Sequence, residues 1–413
     1  MSISVAKLDL VADYIRTNWD KSVHSPKPGD ENRIEPLPHP HTTPCMTGNF
    51  IAFFYWDTYF TNLGLLLQDR LDLAKGNCDD MIYLVNLKGF IPNSTFKGDD
   101  TRSQPPYFSM MVRDLYEKTK DKAWLEQAVA ALEKEYAFWM EKRLTSTHLN
   151  RHFHHAPKEY LLRFYGTVAN RLGFDPNLPE EEKLGISANY LGEAETGWDF
   201  TPRFSGRCGD FNPVDLNSNL YVYEKNFAWF ARELGREDIA AWEAKAEQRR
   251  QLIQEHLWNE TQGLYFDFDC QAAVHSKVPS LATFHPLWAG LATPEQAKRI
   301  RDQLHLFEFE HGLSVCAKTQ RDKTFQWDYP NGWPPLFWTT ISGLRRYGFK
   351  EDTNRLAEKF QQLIVSHFER TGQLWEKFDV LTGRIAGGEY EAQPMLGWTA
   401  GTFLALRELV EKA

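Results

Sequence analysis

The sequence predicts an all-α protein whose paired helices pack as a ring, the (α/α)6 toroid, and three observations carry that prediction. Apolar residues recur at helical spacing through most of the 413 residues. Strand signals are few and short. Long loops rich in Gly, Pro, Asn and aromatic residues lie between the helical stretches and hold the conspicuous polar side chains, the pattern of a helical ring with functional loops. A helical solenoid would repeat its sequence pattern every ~34 to ~47 residues, and this chain shows no such repeat. One large domain over 1–413 accommodates the length, because toroids of this size close around a single core.

In chain order, helical periodicity begins at 5–19, whose early charges and interrupted apolar pattern read as an amphipathic helix and not as a signal peptide. It resumes at 57–73, after an aromatic run, and continues at 107–118, 124–140, 215–234, 240–257, 294–305, 336–347, 353–369 and 397–409. Loops at 36–50, 89–106, 192–213 and 326–335 separate these stretches. The segment 145–190 is polar and irregular, with Arg151-His152-Phe153-His154-His155 and Pro179-Glu180-Glu181-Glu182-Lys183. It reads as an insertion that covers a pocket.

Composition excludes several classes of partner. A formal charge of -9 with Lys, Arg, Asp and Glu intermixed leaves no basic stripe to neutralise phosphates, so no nucleic acid is expected. No stretch is long and apolar enough to span a membrane. The cysteines Cys45, Cys78, Cys208, Cys270 and Cys316 are scattered, odd in number and free of Cys-x-x-Cys pairs, which reads as reduced thiols in the cytoplasm. His39 with His41, and His152 with His154 and His155, lack a second set of spaced ligands, so no metal is expected. Walker-type Gly-rich loops are also missing, and no organic cofactor is expected.

The expected partner is a small neutral saccharide. Aromatic residues make up 14% of the chain and cluster with Asp, Glu, Asn and Gly, most densely in Gln326-Trp327-Asp328-Tyr329-Pro330-Asn331-Gly332-Trp333. Indole faces stack on sugar rings while carboxylates and amides bond the hydroxyls. Four acids sit in such company: Asp57, Asp199, Glu376 and Glu389. A carboxyl beside an indole is partly desolvated, and the resulting rise in pKa suits a general acid. Glycoside hydrolysis needs two carboxyls, but spacing along the chain does not say which two face each other.

These segments resemble the trehalase family, glycoside hydrolase family thirty-seven. Phe54-Tyr55-Trp56-Asp57-Thr58-Tyr59-Phe60 is similar to its first signature, and the Gln326 to Trp333 string to its second. Matches in the family's order are Gly89-Phe90-Ile91-Pro92-Asn93, Arg102-Ser103-Gln104-Pro105-Pro106, Gly197-Trp198-Asp199-Phe200, Pro213-Val214-Asp215-Leu216-Asn217, Glu376-Lys377-Phe378-Asp379, Gly387-Gly388-Glu389-Tyr390 and Gly397-Trp398-Thr399. The resemblance implies that Asp199 is the general acid and Glu376 the base that activates water. It also implies that Phe54, Trp56, Asp57, Asn93, Arg102, Gln104, Trp198, Trp327, Asn331, Trp333 and Glu389 bind substrate. Inversion is implied as well, with the two catalytic carboxyls ~6.5 to ~9.5 Å apart.

Two departures bear on the substrate. Asn49 stands where the family has an arginine in Gly-Gly-Arg-Phe, and Lys158 or Arg163 is the candidate replacement for a second family arginine. An ammonium is a point donor and does not reproduce a guanidinium fork, so the hydroxyls read by the pocket should change. The expected substrate is α,α-trehalose, with glucosylglycerate or mannosylglycerate as the alternative. Remoter alternatives are a sugar epimerase or isomerase, which needs histidines to move protons, and a noncatalytic sugar-binding protein.

Overall fold

The computed structural model describes residues 3–24, 33–34, 36–318, 325–387 and 391–412. Among them are fourteen α-helices: α1 (Val5–Asn18), α2 (Tyr55–Leu67), α3 (Leu71–Lys88), α4 (Phe108–Thr119), α5 (Lys122–Lys142), α6 (Lys158–Leu172), α7 (Glu180–Glu195), α8 (Val214–Leu234), α9 (Ile239–His256), α10 (His285–Ala289), α11 (Pro294–Asp302), α12 (Pro334–Arg346), α13 (Lys350–Thr371) and α14 (Gly397–Glu411). Twelve of them form the expected toroid. Helices α2, α4, α8, α10, α12 and α14 pack each on the next, and α14 returns to α2 to close an inner ring. Helices α1, α3, α5, α9, α11 and α13 take the outer positions.

Burial separates the two rings. Helix α2 buries nearly its whole length, as an element surrounded on all sides must, whereas α9 buries only Ala246, Arg249 and Ile253. The ring closes through a pair of glycines. A Cβ on Gly64 would lie 2.9 Å from the Cα of Gly401, and one on Gly401 would run into the carbonyl of Phe60, so only glycine allows α2 and α14 this approach. A buried polar knot ties four helices together: the Tyr55 and Tyr223 hydroxyls donate to the Glu135 carboxylate at 2.5 and 2.8 Å, and the Phe108 amide donates to the Tyr55 hydroxyl at 3.0 Å.

Two expectations are corrected. The helix expected over 57–73 is two: α2 ends near Gln68, Asp69 takes a left-handed φ of 56°, and α3 begins at Leu71. The irregular insertion at 145–190 instead contains a helical hairpin, α6 and α7, packed side by side outside the twelve-helix ring. Pro157 and Pro179 precede its helices and Gly173 ends the first in the left-handed region. The five-residue α10 is too short for periodicity to reveal. Strands are two-residue pairings. One three-stranded set joins Asn331–Gly332 to Phe378–Asp379 and then to Arg384–Ile385, in antiparallel register Gly332↔Phe378↔Ile385.

Candidate active site

The segments that lead into the inner helices meet at one mouth of the ring. They enclose a cavity of about 260 Å³, close to the lower end of the ~300 to ~1,000 Å³ common for small-molecule pockets. Both carboxyls of the expected catalytic pair open onto it: Asp199, in the loop after α7, and Glu376, in the segment before α14. Phe54, Trp56, Asp57, Asn93, Arg102, Gln104, Trp327 and Trp333 also line it.

Indoles build the cavity's framework. Trp327 stacks on Trp333 at 3.9 Å between centroids and 6° between planes, and Trp198 stacks on the other side of this pair, 5.6 Å from Trp327. Trp56 and Trp398 meet edge to face at 6.0 Å. The Trp333 indole donates to the Gln326 carbonyl at 3.0 Å and the Trp398 indole to the Glu376 carbonyl at 3.2 Å, which fixes their orientation.

Backbone geometry sets the acid. Gly197 has φ +72°, and a Cβ there would lie 2.8 Å from the Trp56 ring. Phe200 follows with φ 57°, so Asp199 sits in a tightly turned loop pressed against the indole floor. Burial pushes the Asp199 carboxyl up to about 6, against the opposing pull of the Arg102 and Arg171 guanidiniums. Burial likewise pushes Asp57 up to about 8, with the Glu376 charge adding to the rise and the backbone of Asp57 working against it. The Glu376 carboxylate accepts the Gln393 amide at 3.3 Å, and the Glu376 amide donates to the Gln393 carbonyl at 3.1 Å.

The amides and the cation of the lining are held from behind. Asn93 Nδ2 donates to the carbonyls of Ser103 and Ala194 at 3.0 and 3.2 Å. Gln104 Oε1 accepts the Trp56 amide at 3.1 Å. Arg102 Nη2 donates to Asp99 at 3.1 Å, while its Nε and Nη1 are buried without a protein partner among the described residues and are free to meet a ligand.

Several expectations fall elsewhere. Trp198 lies beneath the lining, between Trp327 and the Arg203 guanidinium 4.3 Å above its ring. Asn331 donates to the carbonyls of Phe325 and Gln326 at 3.1 and 3.0 Å and braces the loop instead of lining the cavity. Glu389 lies outside the described residues. Lys158 pairs with Glu180 at 2.6 Å on the surface, and the exposed Arg163 packs over Tyr160, so neither replaces a pocket arginine. Asn49 does line the cavity.

Sequence reasoning missed Phe50, Phe96, Asp99 and Met395, all in the lining. Asp99 had a signal, a carboxylate three residues before Arg102. Among the described residues no group of three or more His, Cys, Asp or Glu is placed to hold a metal. His41 faces Asp80 at 3.4 Å and His152 faces Glu195 at 3.2 Å.

Paired acids under an indole framework at the mouth of a helical toroid define the class, a glycoside hydrolase. The chain belongs to the trehalase family: its family model, Trehalase, matches residues 1–410. The periplasmic trehalase of Xanthomonas axonopodis pv. citri is 33% identical over 96% of this chain and 73% of its own length. That of Pseudomonas aeruginosa is 34% identical over 97% and 76%. The neutral trehalase of Saccharomyces cerevisiae superposes with a TM-score of 0.78 at 27% identity, over 96% of this chain and 79% of its own. The mannosylglycerate hydrolase of Thermus thermophilus, at TM-score 0.63 and 21% identity over 96% of this chain and 99% of its own, shares the fold. The expected cytoplasmic location is overturned, because the curated relatives are named periplasmic trehalases and point to the periplasm.

Proposed function

We propose that this protein hydrolyses α,α-trehalose to two glucose molecules with inversion, Asp199 serving as acid and Glu376 as base. Asp199 gives its proton to the bridging oxygen as the C1–O bond breaks. Glu376 takes a proton from the water that attacks C1 from the opposite face, so one glucose leaves as the β anomer and the other as the α anomer. The observation that carries this reading is that both carboxyls open onto one indole-walled cavity, with burial lifting Asp199 to about 6, near where a proton donor works best. Phe54 and the indoles of Trp56 and Trp333 would face the sugars, with Asp57, Asn93, Arg102 and Gln104 bonding hydroxyls. The helical hairpin α6–α7 would wall one side as the cover: Tyr160 packs against Gly98, beside Asp99 and Arg102, and Arg171 sits over Phe200 at 4.7 Å.

Charge favours a neutral leaving group. The described lining carries the carboxyls of Asp57, Asp99, Asp199 and Glu376 against the single cation Arg102, which Asp99 already pairs. Even with Asp57 and Asp199 protonated, as the raised Asp57 and the acid role of Asp199 require, the carboxylates of Asp99 and Glu376 outnumber Arg102, so an anionic glycerate would meet a net negative lining. The test is glucose release from trehalose, glucosylglycerate and mannosylglycerate by the purified protein, with Glu376→Gln as control. Release from trehalose, lost in the control, is expected; silence on trehalose with release from a glycerate glycoside would overturn the substrate.

A further inference from the structure

We propose that Glu195, gripped by Arg143, is a positioning residue that holds the acid loop and the extended segment Arg102-Ser103-Gln104 as one unit. This rests on the reading of Asp199 as the general acid. Glu195 ends α7, with only Thr196, Gly197 and Trp198 between it and Asp199. Its buried carboxylate takes Arg143 through Nε at 2.9 Å and Nη2 at 2.7 Å, and accepts the amides of Ser103 and Phe153, each at 2.9 Å. His152 Nδ1 lies 3.2 Å away.

The Ser103 contact connects this carboxylate to the substrate. Arg102 and Gln104 both line the cavity, and extended backbone sends alternate residues to opposite sides. Ser103 therefore turns its side chain away from the cavity, where its hydroxyl donates to the Ile91 carbonyl at 2.7 Å, and its amide donates to Glu195 between two neighbours that face the sugar. One carboxylate thus sets the distance between the proton donor and the groups that orient its substrate.

The far end of the acid loop is pinned in the same manner. The Thr201 amide donates to Glu193 at 2.7 Å. Buried Arg203 grips Asp215 at 2.8 and 2.9 Å and Asp267 at 2.9 and 2.7 Å, with its guanidinium against Trp198. Asp199 is thus suspended between two buried guanidinium–carboxylate clamps, and only the first also reaches the segment Arg102-Ser103-Gln104. A carboxylate serving stability alone has no need to bond the backbone between two ligand-facing side chains.

The experiment compares Glu195→Gln, Arg143→Lys and wild type on trehalose and on α-D-glucosyl fluoride, whose fluoride leaves without protonation. Misplacing the acid should cut kcat on trehalose by about 10² and on the fluoride several-fold less. The alkaline limb of the trehalose profile should move to lower pH as water reaches Asp199. Arg143→Lys, which keeps the charge and loses the fork, should fall between, and it remains informative if Glu195→Gln fails to fold. Equal losses on both substrates with an unmoved pH profile, in a folded variant, would overturn the positioning role. Wild type inactive on both substrates would instead sink the hydrolase reading on which it rests.

Discussion

Replacing Asp199 with Asn should sharply cut turnover of trehalose and yet stabilise the protein above neutrality. Burial raises this carboxyl from an ordinary 3.8 to about 6, so between those values the folded chain binds more protons than the unfolded one. Stability then falls as pH rises through the window, and the full penalty is present above it. At 1.36 kcal/mol per pKa unit the penalty is about 3 kcal/mol. Asp199 is only part-buried, and solvent at the cavity mouth lowers this to about 1–3 kcal/mol. Asparagine cannot ionise and escapes the penalty. With an unfolding entropy of about 2.1 cal/mol/K per residue, the gain corresponds to a Tm rise of about 1–3 °C at pH 8 and close to none at pH 4. Thermal scans of wild type and variant at both pH values give the comparison, and trehalose turnover should drop about 10²- to 10⁴-fold. A variant less stable than wild type at pH 8, or equally stabilised at both, would refute burial as the source of the shift.

Other substitutions separate the roles within the cavity. Asp199→Asn should retain hydrolysis of α-D-glucosyl fluoride while Glu376→Gln loses both substrates, since fluoride needs no proton but water still needs a base; the reverse pattern in steady-state assays would exchange the assignments. Gly197→Ala forces a side chain into a left-handed turn and against Trp56, at about 2–4 kcal/mol, and should lower kcat at least about tenfold by tilting the acid; a variant with wild-type turnover argues against strain in this loop. Asp99→Asn releases Arg102 and removes a charge that raises Asp199. The alkaline limb should move down by less than about one pH unit while activity on glucosylglycerate rises relative to trehalose, and an upward move contradicts the sign.

The sequence disclosed the ring because its inner helices carry long apolar runs, but it concealed elements whose boundaries carry weak signals. Between α2 and α3 the chain turns at Gln68-Asp69-Arg70 without glycine or proline, so the periodicity reads as continuous. Helix α7 opens with Glu180, Glu181 and Glu182 and buries chiefly its last turn, which makes it look like solvated loop. At the site, the lining acids Asp57, Asp199 and Glu376 were legible from their aromatic neighbours and from family resemblance, whereas Asp99, with no indole beside it in the chain, was not. Direction in space was not: Trp198 and Trp333 have similar motif surroundings, yet one supports the floor and the other lines the cavity. Asn331 is an amide turned inward on its own loop for the same reason.

The carboxyls sort into two populations by what stands opposite them. Asp57 and Asp199 face the cavity and are pushed up by burial. Behind the cavity, Arg143 and His152 overcome burial to hold Glu195 well below its ordinary range, and Arg203 does the same for Asp215. The depressed acids contribute stability above their unfolded values, lost as pH falls, whereas the raised acids detract as pH climbs. Their pH dependences oppose, and the clamps lie on either side of the loop whose strain and desolvation they offset. The burial-raised acids Asp57 and Asp199 are therefore tolerated because the ion-paired acids Glu195 and Asp215 hold the walls behind them.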